Sequence, residues 1–410
     1  MNILVINAGS SSIKYQLFEM DCEKPLCRGI VERIGFENAI VTHRCSKAEP
    51  VKLVEPISDH EQAVSLIIRM LTHQKYGAVN DISTIAAVGH RLAHGAEKLF
   101  EPVIIDACTL KMIKSNIGLA PIHMPHMVKG IEVFRKLMPD TPMAAVFDTA
   151  FHQTMPKKAY IYPIPYRYYK QYDIRRFGFH GTSHQYVSSR AARMLEKPIS
   201  ALRTITCHLG NGSSLAAVKH GISIDTSMGF TPVAGLPMGT RCGDIDVSIF
   251  NFLIEKEGLS ADEVNDMLNT QSGLMGISGV SSDLRELLQK ADEGHVRAAL
   301  AIDVLCYSVK KLIGAYAAAM GGVDCIVFTG GIGENAAAIR QKCCEDLEFL
   351  GIQISAQKNS DTQHIRISDA VISSDSSRVK VLVIHTNEEL MIARETLQLL
   401  SAVNASGQEH

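Results

Sequence analysis

The sequence feature that most constrains the fold is a strand–turn–strand unit that occurs twice. Ile3-Leu4-Val5-Ile6 is a short apolar run ending in Asn7-Ala8-Gly9, a strand entering a tight turn, and 13–19 reads as the strand that leaves it. In the second half, 204–208 and 215–218 flank the turn Gly210-Asn211-Gly212-Ser213-Ser214, so that Gly9-Ser10-Ser11 recurs as Gly212-Ser213-Ser214. A later apolar strand in each half also ends in a turn, as Val146-Phe147-Asp148-Thr149 and as Val327-Phe328-Thr329-Gly330. Two recurrences in one order predict an internal duplication.

Further strands are expected at 85–89, 143–147 and 379–385, with a final helix from Asn387. Ser58-x-x-Glu61 reads as a capping box opening a helix whose face is Val64, Ile67, Ile68 and Leu71. Alternating strands and helices predict an α/β architecture. A boundary is expected in the Tyr- and Pro-rich stretch after Phe151. At 410 residues, with 46% hydrophobic residues, the chain has material for two or three domains. Forty-one basic against 43 acidic residues leave it near neutral, which argues against a nucleic-acid or anionic-membrane partner. The ten cysteines contain no C-x-x-C pair and read as reduced apolar fillers in a cytosolic protein. Segment 298–320 is apolar, but Asp303, Lys310 and Lys311 interrupt it and its apolar residues keep helical spacing, so a membrane span is not expected.

Three Gly-rich turns follow expected strands: Asn7 to Ser12, Gly210 to Ser214, and Gly330-Gly331-Ile332-Gly333-Glu334-Asn335. Such turns present backbone N–H groups to an anion. A plain hairpin accounts for any one of them. Three in a duplicated α/β chain point to a nucleotide phosphate site. Neither a Walker P-loop nor a helix-opening G-x-G-x-x-G occurs, which argues against the usual NTPase and dinucleotide-binding classes.

Longer motifs carry a resemblance. Leu4 to Lys14, Gly89-His90-Arg91-Leu92-Ala93-His94-Gly95, Val146 to His152 and Phe177-Gly178-Phe179-His180-Gly181-Thr182-Ser183-His184 resemble the acetokinase family. So do His208-Leu209-Gly210-Asn211-Gly212, Met238-Gly239-Thr240-Arg241, Gly330 to Asn335 and Thr386-Asn387-Glu388-Glu389, in the family's order along nearly the whole chain. The resemblance implies an actin-like ATPase fold: two duplicated RNase H-like domains, 1–151 plus 386–410 and 152–385, flanking a nucleotide cleft. It also implies a cytoplasmic homodimer, with ATP/ADP and Mg²⁺ (or Mn²⁺), that reversibly moves the ATP γ-phosphate onto acetate or propionate.

A carboxylate substrate is ionised at pH 7, so this chemistry needs no general base. It needs relief of repulsion between two anions, which arginine forks and Mg²⁺ supply. Arg91 and Arg241 are therefore assigned to the carboxylate and the transition state, although Arg91 read alone is a surface salt bridge. Asp148, at a strand end, matches a residue that positions Arg91 or Mg²⁺; a turn or cap Asp is the plain alternative. His180, beside a helix N-terminus, matches a contact to the transferring phosphoryl group. Glu388, capped by Thr386 or Asn387, and Asn7 match the Mg²⁺ partners. Lys14, His208 and Asn211, with Leu209, Gly210 and Gly212, match phosphate contacts. Asp283-Leu284-Arg285 and Gly331 to Asn335 match ribose and adenine contacts, and His123 matches a further cleft histidine. The acid pocket is matched at Ala93, Ile122, Phe179 and Pro232. Ala93 stands where the family commonly has Val, leaving room for one more substrate carbon and favouring use of propionate. Cys242 stands where Ser is usual.

The pairs His90/His94, His123/His126 and His180/His184 invite a zinc reading, which the absence of H-E-x-x-H and the presence of Gly95 oppose. Six tyrosines crowd 160–172 beside Arg167, Lys170, Arg175 and Arg176, and read as packing at the domain junction or a dimer contact rather than a stack for single-stranded nucleic acid. A non-kinase actin-like ATPase would share the phosphate turns without needing Arg91, His180 and Arg241.

Overall fold

The computed structural model describes residues 1–120 and 124–407. The chain divides into two compact units, Met1–Ala150 with Asn387–His410, and Phe151–Thr386. Phe151 and Thr386, expected in the first domain, group with the second, where the Thr386 hydroxyl lies 2.8 Å from that of Ser183.

The first unit holds an eight-stranded sheet made of β1 (Asn2–Ala8), β2 (Ser12–Glu19), β3 (Lys24–Glu32), β4 (Phe36–Cys45), β5 (Val51–Ile57), β6 (Ile85–Leu92), β7 (Val103–Ile104) and β8 (Met143–Phe147), in the order β5-β4-β3-β2-β1-β6-β8-β7. The second holds β9 (Arg203–Leu209), β10 (Ser213–Lys219), β11 (Ile222–Thr226), β12 (Cys325–Thr329), β13 (Ala370–Val371) and β14 (Lys380–Val383), in the order β11-β10-β9-β12-β14-β13. Both contain one arrangement. Three antiparallel strands, β3-β2-β1 or β11-β10-β9, are followed by two strands parallel to the innermost, β6-β8 or β12-β14. The duplication is thus a property of topology.

The two short recurrences that suggested it are not equivalent positions. Gly9 is the first residue after β1, and its counterpart after β9 is Gly210; Ser213 and Ser214 already belong to β10. The strand ending in Val146-Phe147 is the outer parallel strand β8, whereas Val327-Phe328 lies in β12, which occupies the place of β6. The third Gly-rich turn is a short helix, Gly330–Asn335.

Strand alternation places helices on both faces of each sheet. In β6, His90 meets Phe134 of helix Met124–Leu137 at 5.5 Å between ring centroids. Its neighbour Gly89 faces helix Glu388–Gly407 so closely that a Cβ would lie 2.5 Å from Thr396 Oγ1. In β12, Cys325 and Val327 cluster with Val187 and Ala191 of helix Gly181–Met194. Ile326 and Phe328 instead join Leu305, Val309 and Ile313 of helix Val296–Met320. Each such fully buried aliphatic or aromatic side chain contributes about 1.5–3 kcal/mol of transfer free energy.

The helix expected to open at a Ser58–Glu61 box runs over His60–Thr72 and is capped by Asp59, whose carboxylate accepts from Gln62 N at 3.0 Å. Gln62 Oε1 accepts from Ser58 N, and Glu61 turns outward to Lys136. Asp is as good a cap as Ser, and this start keeps Val64, Ile67 and Leu71 buried. No described helix is long and apolar enough to cross a membrane. In the tyrosine-rich stretch, the Arg175 guanidinium stacks 3.6 Å over Tyr160 and Arg176 Nη1 donates to three successive carbonyls, of Thr226, Ser227 and Met228.

Candidate active site

In the first unit the candidate residues sit where parallel strands end. Leu92 pairs with Phe147, so Arg91 near the end of β6 and Asp148 just past β8 are brought together. Arg91 donates from Nε to Asp148 Oδ1 at 3.0 Å and from Nη2 to Oδ2 at 2.6 Å, a bidentate fork. Glu388 opens the last helix, and Asn387 rather than Thr386 caps it, accepting from Leu390 N at 3.0 Å. Its carboxylate stands 3.7 Å from Arg91 Nε.

Burial opposes the charge on Arg91, but Asp148 and Glu388 outweigh it and hold the guanidinium protonated. Glu388 is pushed up to about 7, by burial first and then by the Asp148 and Glu389 carboxylates, against the pull of Arg91. Ile6 pairs with His90, so Asn7 and Arg91 follow one residue later on neighbouring strands, and Lys14 lies opposite Asn7 on β2. Beside them, His60 Nε2 donates to Gly9 O at 2.9 Å and fixes the β1–β2 turn. Ala93 is buried just past β6, its N–H directed at Met127 Sδ. Ile122 and His123 lie outside the described residues. His90 is buried and pushed down to about 3 by burial, a neutral packing residue. Among the described residues, no group of three or more His, Cys, Asp or Glu side chains forms a metal cluster.

In the second unit, the β9–β10 turn is the gathering point. A Cβ on Gly212 would lie 3.5 Å from both Arg241 Nη1 and the His180 imidazole, ordinary contact distance, so both side chains border the turn. His180 is the left-handed N-cap (φ 56°) of helix Gly181–Met194. Its Nδ1 is 2.9 Å from Ser214 Oγ and its ring stacks on His208 at 4.2 Å. His208 Nδ1 meets Ser183 Oγ at 2.8 Å. Arg241 donates to the Pro232 carbonyl and has no carboxylate partner among the described residues; burial lowers its pKa. A half-buried guanidinium without an acid is poised for an anion. Phe179 packs with Met228 and Met238.

Asn211 and Gly239 touch, and Ser282, just before Asp283, closes on the same glycine at 3.4 Å from a Cβ there. Leu209 ends β9 beside Gly330, whose φ of 77° leaves no room for a side chain against Leu209 O. Gly210 and Ser213 close the turn on each other. Asp283 caps helix Leu284–Asp292 and pairs with the outward Arg285, while Leu284 belongs to the core. In the short helix, Ile332 packs against the core, and Asn335 Nδ2 donates to Gly331 O. Glu334 accepts from Gly330 N and Thr386 N, so its carboxylate is committed internally. The carbonyls of Gly333 and Glu334 accept from the buried Arg340, a support with no sequence signal. The Cys242 thiol, half-buried, donates to Gly243 O and is held protonated by burial.

The chain matches the acetokinase family over residues 2–394. It is 53% identical over 98% of its length to an acetate kinase of Thermoanaerobacter pseudethanolicus, covering all of that protein. Among solved structures it is similar to an acetate kinase of Porphyromonas gingivalis (TM-score 0.92, 45% identity, 97% of this chain and 99% of that one). It is also similar to a propionate kinase of Francisella tularensis (TM-score 0.88, 42% identity, 96% and 98%).

Proposed function

Because the chain belongs to the acetokinase family, with its duplicated actin-like ATPase fold, and is a carboxylate kinase, we propose that it moves the ATP γ-phosphoryl group reversibly to a short-chain acid by direct in-line displacement, with propionate used as readily as acetate. A carboxylate oxygen bonds to the γ-phosphorus as the bond to the β,γ-bridging oxygen breaks, and that oxygen leaves with the electron pair on ADP. The observation that carries this reading is the contrast between the two arginines. Arg91 is locked in a fork by Asp148, and Arg241 is half-buried without an acid. Arg91, oriented by Asp148, and Arg241 serve the carboxylate and the charge on the transferring group; His180 contacts that group. Asp148 orients and abstracts no proton. Lys14 and the 208–212 segment serve the nucleotide phosphates. Asp283 to Arg285 and Gly331 to Asn335 serve ribose and adenine.

Asn7 and Glu388 would hold Mg²⁺ or Mn²⁺. Their all-oxygen donor set suits a hard cation, and a buried carboxyl pushed up to about 7 is one that a cation would help ionise. When bound, such an ion neutralises charge on the nucleotide phosphates. A homodimer belongs to the same reading, supported in the second unit by exposed Val247, Val296 and Tyr307.

The acid preference is read from the family match of Ala93, Ile122, Phe179 and Pro232, with Ala93 smaller than the Val common at its position. One extra methylene is worth about 1–3 kcal/mol in a pocket. ADP release measured with acetate, propionate and butyrate tests this. Comparable kcat/KM for acetate and propionate is expected, and Ala93→Val should shift the ratio toward acetate. A tenfold preference for acetate in the parent, or an unchanged ratio in Ala93→Val, overturns it.

A further inference from the structure

His152 lies in a motif whose chemistry the transfer does not use, yet it is fully buried and doubly hydrogen-bonded. It sits in the short helix Ala150–Thr154. Its Nε2 lies 3.0 Å from the carbonyl oxygen of Phe179, and its Nδ1 lies 2.8 Å from Ser223 Oγ in β11. A carbonyl only accepts, so Nε2 carries the proton. Burial, with the Arg176 charge adding to it against the pull of the Phe179 carbonyl, pushes the imidazole down to about 4, so the ring is neutral at pH 7. Nδ1 then offers a lone pair, and the Ser223 hydroxyl donates to it. The tautomer is settled by these two partners.

The carbonyl that His152 holds is a particular one. Phe179 is flanked by two left-handed residues, Gly178 (φ 75°) and His180 (φ 56°). At Gly178, a Cβ would lie 2.3 Å from Thr226 Cγ2 and 2.8 Å from His152 Cδ2, so the imidazole fills the space beneath it. His180 is not a glycine, so its left-handed backbone is strained and needs to be held by its surroundings. The Phe179 C=O and the His180 N–H belong to one peptide plane. Fixing the carbonyl fixes that plane, and with it the direction in which His180 leaves the helix end.

We propose that His152 is a positioning residue for the transfer: its Nε2–H clamps the Phe179–His180 peptide plane, and so sets both the Phe179 wall of the acid pocket and the left-handed His180. This rests on the roles proposed above for Phe179 and His180. Ser223 is its support, holding the imidazole in the donating tautomer.

His152→Leu has similar bulk and no donor, whereas His152→Gln keeps an N–H near the Nε2 position. In steady-state assays, His152→Leu is expected to lower kcat/KM for the acid at least tenfold, with KM for ATP within twofold of the parent. His152→Gln should recover activity to within about threefold of the parent. Ser223→Ala should give a smaller loss in the same parameter. An acid kcat/KM within twofold of the parent in His152→Leu overturns the proposal. So does a His152→Gln as impaired as Leu, or a parallel rise in KM for ATP. Should the leucine variant fail to fold, His152→Gln and Ser223→Ala decide: unchanged acid kinetics in Ser223→Ala overturn it. A parent enzyme that releases ADP without dependence on a carboxylic acid refutes the underlying reading instead, before any variant is compared.

Discussion

Glu388→Gln is expected to raise the melting temperature of the metal-free protein, and to raise it more at pH 8 than at pH 5. Glu388 sits in a pocket that burial makes unfriendly to its charge, with Asp148 and Glu389 adding repulsion that Arg91 only partly offsets. Its carboxyl is therefore pushed from 4.5 up to about 7 in the folded chain. Between those two values the folded state holds the proton more tightly than the unfolded chain does. Stability on this account is intact below about pH 4.5 and falls as pH rises toward about 7. At about 1.36 kcal/mol per pH unit, the loss is complete at about 3 kcal/mol by pH 8 and is only about 1 kcal/mol at pH 5. Glutamine is neutral throughout, so the variant escapes the loss. The Arg91 attraction is already contained in the shift of the carboxyl, and the remaining difference between glutamine and a protonated glutamate is independent of pH and cancels from the comparison. A change of about 2.5 kcal/mol in a unit of this size is about 5–10 °C. Differential scanning calorimetry in EDTA without nucleotide, on parent and variant at pH 5, 6.5 and 8, reads it directly. Adding Mg²⁺ at pH 8 should then raise the parent's melting temperature and leave that of the variant nearly unchanged. A variant-minus-parent difference that stays flat within about 1 °C across pH refutes the reasoning.

Two further outcomes follow from the same geometry. Arg91→Lys keeps a positive charge but cannot reproduce the Nε/Nη2 fork on Asp148, so kcat should fall by about 10²–10³, and a loss under fivefold would refute the assigned role. Sedimentation velocity at micromolar concentration should return the mass of two chains, and a purely monomeric boundary would end the dimer reading.

What was legible in the sequence depended on range. Runs such as Ile3 to Ile6 and Met143 to Phe147 announced strands because every residue in them is buried, and that is a local property. Arg91, Asp148 and Glu388 were readable from their motifs, and the strand ends bring them together. Their electrostatics were not readable, because the shift on Glu388 comes first from burial and in part from Asp148 and Arg91, far away in sequence. The matching of Val327-Phe328 to Val146-Phe147 was misjudged for a related reason. Short apolar strands look alike, and only the completed sheet decides that Val327-Phe328 matches β6 rather than β8. The Ser58 box failed by one residue because Asp59 competes for the same cap. The glycines of 330–335 hid a helical turn that Arg340 braces from elsewhere in the fold. His152 stood in a quoted motif, but its partners lie 27 and 71 residues away.

The last helix has a consequence in time as well as in space. Glu388–Gly407 covers the β1, β6 and β8 layer, with Ile392 and Thr396 seated against Gly89. That layer leaves the ribosome first, and the whole of Phe151–Thr386 must be made before its cover arrives. At ~5–20 residues per second the wait is on the order of tens of seconds. During it the apolar floor around Gly89 lacks the helix that covers it in the folded chain. Since the late segment also brings Glu388, a nascent chain stalled anywhere before it lacks the carboxylate proposed to hold the metal.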